Sequence, residues 1–109
     1  MKSHAIDTPS RLADLLVAMF PAFSEELRGE QLDSYHQVFQ LLAPRALSYL
    51  QTSPEPTVKR FASLINTLVS NGGDLENAVC TCLLEHASQV GIRRFLQRHL
   101  SKEARSQLR

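Results

Sequence analysis

Residues 56–90 read PTVKRFASLINTLVSNGGDLENAVCTCLLEHASQV, and this stretch decides the fold. Val58, Phe61, Leu64, Ile65, Leu68 and Val69 recur at steps of three and four, which lays one apolar stripe along a helix. Asn71-Gly72-Gly73 ends that helix, because glycine adopts the left-handed backbone of a helix C-terminus without a Cβ clash. Asp74 is then expected to cap a second helix, in which Leu75, Val79, Cys82, Leu83 and His86 hold the period until Gly91. The stretch predicts a helical hairpin from Pro56 to Val90, with a connection short enough to force antiparallel neighbours.

Upstream, Thr8 before Pro9 is a helix start, and Leu12, Leu15, Leu16 and Met19 follow at helical spacing until Pro21 closes the segment. Ser24 offers a cap for a single turn running to Leu27 and Gly29. From Glu30 to Gln51 the period returns through Leu32, Tyr35, Val38, Phe39 and Leu42, and Pro44 is expected to bend that helix or split it in two. Prolines in the connector 52–56 disfavour helix before the hairpin begins. Downstream, Ile92, Phe95, Leu96 and Leu100 form an amphipathic tail, with Ser101 capping a last turn to Leu108.

No strand pattern interrupts these segments, and composition agrees: 17 Leu and 10 Ala stand against 6 Val, 3 Ile and 5 Thr. The expectation is an all-α fold, one helical domain over residues 1–109 with about five or six helices and a flexible N-terminus over 1–7. Two helix pairs, 30–51 and 56–90, would also permit a stack of helical hairpins. With 109 residues one core can form without disulfide or metal. The longest apolar run, Leu15 to Phe23, contains Pro21 and falls well short of the ~20 residues of a membrane span. No secretory pattern opens the chain, and Cys80 and Cys82, two apart on a helix, cannot bridge each other; a cytoplasmic location is expected.

Charge divides the chain. Residues 1–90 carry six basic and ten acidic side chains, whereas 91–109 carry Arg93, Arg94, Arg98, Lys102, Arg105 and Arg109 against one acid. The tail is read as a solvated face, as a surface for an acidic partner or its own acidic half, or as a phosphate contact. Phe95 is its one aromatic, and it lies on the apolar stripe, leaving none for base stacking.

The segment Phe61 to Leu108 joins an apolar helix, a Gly-Asp-Leu-Glu-Asn cap at 73–77, Leu83-Leu84-Glu85-His86 and a basic tail. In this layout it resembles a family of small, uncharacterised, all-helical bacterial proteins, some of them similar to immunity proteins of polymorphic toxin systems. Phe20-Pro21 and the helix from Val38 to Leu50 extend the resemblance over about Leu12 to Leu108. It implies a domain that binds another protein and has no catalytic residue to carry over.

The reactive side chains are few. Cys82, Glu85 and His86 stand at i, i+3 and i+4 of the expected helix, within reach of one ion, with a fourth ligand needed from His36, His99 or Cys80. No Cys-x-x-Cys or His-Glu-x-x-His anchors that set, so Cys82 is read as a small buried hydrophobe and no metal or cofactor is expected. A Cys–His nucleophilic pair would lack a glycine-rich turn and free N–H groups for an oxyanion, so no enzyme is expected.

The reading is a non-catalytic protein-binding domain, in its finer form an inhibitor of a bacterial toxin. Asp74, Glu76 and Glu85 would meet a cationic cleft, or Arg93, Arg94 and Arg98 an acidic one. The alternative is a nucleic-acid-associated regulator working through a basic C-terminal helix, with Arg93, Arg94, Arg98 and Lys102 on phosphates. No membrane is expected as a partner; association with a second copy is open.

Overall fold

Helix is the one regular element among residues 6–109, which the computed structural model describes. The order is α1 (Pro9–Met19), α2 (Phe23–Leu27), α3 (Tyr35–Thr52), α4 (Glu55–Asn71), α5 (Gly73–Cys82), α6 (Arg93–Leu96) and α7 (Lys102–Arg105), with a 3-10 turn at Leu84–His86 between α5 and α6. The all-α class is as expected. There are seven α-helices among the described residues where about five or six are expected, and the basic tail carries two short ones, α6 and α7, not one continuous basic helix. The flexible segment expected over 1–7 falls mostly outside the described residues. Ile6, within them, is half-buried and its carbonyl accepts from the Tyr35 hydroxyl at 3.4 Å.

Several boundaries follow the local chemistry read above. Thr8 is extended and its hydroxyl oxygen accepts from the Arg11 N–H at 3.1 Å, with Pro9 opening α1. Ser101 caps α7 through Ala104 at 3.1 Å as expected, whereas α3 starts at Tyr35 and not at Glu30, capped by Ser34 through Gln37 at 3.1 Å, so Leu32 lies before the helix. Other expectations shift. Ser24 is not a cap: α2 starts one residue earlier, after Ala22, and the Ser24 hydroxyl donates to the Pro21 carbonyl. Of the two alternatives at Pro44, a split is not what forms: α3 is one helix of 18 residues with the proline inside and exposed. Asp74 is not the cap of α5; Gly72 is, at φ 75°, so one glycine closes α4 and opens α5.

The larger departure lies after α5. Leu83 leaves helical geometry at φ −122° and ψ −60°, and the expected helix to Val90 becomes a 3-10 turn and a series of turns. The tail supplies the reason. The Arg109 N–H donates to the Leu84 carbonyl and the Ser88 N–H to the Arg109 carbonyl, both at 2.9 Å. Backbone groups that a helix would pair internally are taken by the returning chain.

The core draws on every helix. Leu12, Phe39, Phe61, Leu68, Leu84 and Ile92 are fully buried. Phe20 and Phe23, flanking Pro21, are buried too. Phe20 meets Phe61 edge-on at 5.1 Å between centroids and stacks on Tyr49 at 5.5 Å, fixing the α1–α2 corner against α3 and α4. Asn66 of α4 clips the tail. Its side-chain carbonyl accepts from the Ser101 N–H at 2.8 Å and its amide donates to the His99 carbonyl at 3.3 Å. No helix is long and apolar enough to cross a membrane among the described residues.

Candidate functional site

The start of α3 and the start of α5 lie side by side. The side chains of His36 and Asn77 meet at 3.3 Å, one residue into α3 and four into α5. Further along, the two segments diverge enough to leave an open groove of about 600 Å³. Ala43 and Pro44 form its α3 wall, Cys82, His86 and Val90 the opposite one, and the lining is predominantly apolar. The His86 ring nitrogen Nδ1 lies 2.9 Å from the Gln89 side-chain carbonyl, a contact within one wall of the groove.

Charge surrounds the groove in three separate clusters. At the His36 end, Asp7, Asp33 and Asp74 line a depression of about 390 Å³. At the other end, beyond Val90, Arg93 and Arg94 line a cleft of about 490 Å³ with Leu47, Gly91 and Gln97. Gly91 is at φ 80°, with Leu47 only 3.1 Å from where a Cβ would stand, so α3 and the turn before α6 touch closely here. Beside α5, Glu76 and Glu85 flank a smaller cleft of about 240 Å³ that also exposes the edge of Cys80.

The expected site residues are thus brought together in part. Glu76 and Glu85 share a cleft, but Asp74 belongs to the aspartate cluster at the opposite side of Asn77. Arg93 and Arg94 share a cleft, which does not include Arg98. All three arginines are exposed, and none makes an ion pair among the described residues, so they do not fold back onto their own acidic half. The tail reaches that half through His99, whose Nε2 lies 3.4 Å from Glu55. Arg94 lies 4.9 Å over the Phe95 ring. Aspartates Asp7 and Asp33 and the groove itself escaped the sequence reading, because they come from segments far apart in the chain.

The reactive side chains are dispersed. Leu83 interrupts the helix between Cys82 and Glu85, so the i, i+3, i+4 arrangement of Cys82, Glu85 and His86 does not form. Among the described residues no three histidines, cysteines or carboxylates converge to hold a metal. Both cysteines are free, and it is Cys80, not Cys82, that is the buried one. Burial pushes the Cys80 thiol above its ordinary value of 9.0, and Glu76, Glu85 and Glu103 push it the same way, because a thiolate would stand beside their negative charge.

The family model described as Domain of unknown function (DUF7674) matches residues 13–109. The chain belongs to this family. The match runs one residue shorter at the N-terminal side and one longer at the C-terminal side than the stretch on which the resemblance rests, and the family it names is, as expected, an uncharacterised one. Neither the curated proteins nor the solved structures contain a match to this DUF7674 chain. The groove and all three charged clusters take most of their lining from inside the DUF7674 match, Asp7 and Pro9 being the residues outside it.

Proposed function

We propose that the chain is a non-catalytic protein-binding domain that docks its partner on the groove between α3 and the segment after α5. The observation that carries this is an open apolar groove of about 600 Å³ with ionic side chains around it, apolar centre and polar rim being the anatomy of a protein interface.

In its finer form the proposal is an immunity-type inhibitor of a toxin, working in the cytoplasm. Glu76 and Glu85, which share one cleft, would engage a cationic active-site cleft, where opposite charge speeds encounter and selects the partner. The experiment is co-expression with the product of each flanking reading frame, followed by co-elution of the purified pair and a growth assay. A stable complex that protects the cell, and that Glu76→Lys with Glu85→Lys disrupts, is the expected result. Flanking products that neither bind nor harm the cell overturn the immunity form. Titration of a generic DNA duplex at low salt is the second arm: tight binding that falls steeply with salt would replace protein binding by phosphate binding through Arg93, Arg94 and Arg98.

A further inference from the structure

The groove has a polarity that one more step of geometry can use. Eleven residues of α3 separate His36, beside the aspartates, from Leu47, beside the arginines, which places the two ends about 16 Å apart at the helical rise. Along one face the order is therefore negative, apolar, positive. Rotating such a face by half a turn about an axis through its apolar centre superposes each end on the charge it lacks. The charge pattern of such a face is complementary to itself, which is one of the conditions of a closed two-fold interface.

We propose that two copies of this chain pair through the groove face about a two-fold axis, Arg93 and Arg94 of each copy lying on Asp33 and Asp74 of the other. The inference rests on reading the groove as a protein-binding surface and names the occupant as a second copy. Charge complementarity argues for that occupant: both halves of the match, exposed and without ion-pair partners among the described residues, are present on one face. The two-fold arrangement also closes on itself, whereas head-to-tail use of the same charges would propagate into a filament. The Glu76–Glu85 cleft lies to the side of this axis and is left to a different partner.

Sedimentation velocity of the full chain across a concentration series tests the pairing. A reversible species of twice the 12.2 kDa chain mass, weakened by salt, is expected. Arg93→Glu with Arg94→Glu, and separately Asp33→Lys with Asp74→Lys, should each raise the dissociation constant by about tenfold or more, since each sets like charges face to face. Mixing the two variants in equal amounts should restore a dimer, because opposite charges again meet. These positions are exposed, and circular dichroism checks that each variant keeps its helix content. A wild-type chain that stays monomeric at every concentration overturns the proposal, as does a dimer indifferent to both variants or a mixture that fails to pair. None of these results bears on binding at the Glu76–Glu85 cleft, so failure here and failure of the inhibitor reading are told apart.

Discussion

Cys80 shows how much of a residue's chemistry depends on neighbours that the sequence keeps distant. Its position on the apolar stripe is not evident from the spacing that picks out Cys82, yet it is 7 % exposed and Cys82 is half-buried in the groove wall. Burial and then three carboxylates, Glu76, Glu85 and Glu103, oppose its ionisation, so at neutral pH it holds its proton and is a poor nucleophile. Because the folded pKa is raised, the native state binds the proton more tightly than the unfolded chain. The resulting stability is present below pH 9.0 and is lost as pH rises beyond it. In alkylation followed by mass spectrometry at neutral pH, Cys82 should react first. Replacing Glu76 and Glu85 by Gln should speed the reaction of Cys80, two of its three opposing charges being gone. Modification of Cys80 at the rate of an exposed thiol would contradict this account.

At the scale of elements, what was legible was whatever the chain decides locally. Thr8 and Ser101 cap their helices through N–H groups three residues on, and the stripe Val58, Phe61, Ile65, Leu68 is buried as its spacing requires. The end of α5 was not legible, since nothing near Leu83 breaks a helix. The break depends on Arg109, which claims the Leu84 carbonyl from 25 residues further along the chain. The groove was not legible for the same reason, its walls meeting only in three dimensions. Pro44 is a case where the local signal left two outcomes open and packing chose between them. Val38, Phe39 and Leu42 before it and Ala46 and Leu50 after it are all buried on one continuous α3. The proline still removes the N–H that would pair with the Gln40 carbonyl. Pro44→Ala should therefore stabilise the fold by about 1–3 kcal/mol in urea unfolding. A loss of stability would mean that α3 needs the proline's shape to fit against α5.

At the scale of the whole molecule, the basic tail is both part of the core and the source of the positive pole. Leu96, Leu100, Ala104 and Leu108 face inward, while Arg93, Arg94, Arg98, Lys102 and Arg105 stay exposed. A nucleic-acid arm would carry its charges on a segment that the fold can spare. Here the same nineteen residues seal the bottom of the domain, with Asn66 holding the Ser101 N–H and Leu84 and Ser88 holding Arg109. Deleting residues 102–109 would strip Ala104 and Leu108 from the core and remove the Arg109 backbone bonds to Leu84 and Ser88. The expected cost is about 3 kcal/mol, from one buried leucine and two backbone hydrogen bonds. Against a total of about 5–15 kcal/mol for a chain of this class, that is a large fraction. Thermal melting followed by circular dichroism should show one cooperative transition displaced to lower temperature. If the shortened chain instead melts where the full one does, the tail is an appendage, and its arginines are then better explained as a detachable contact for phosphates than as one end of a self-complementary face.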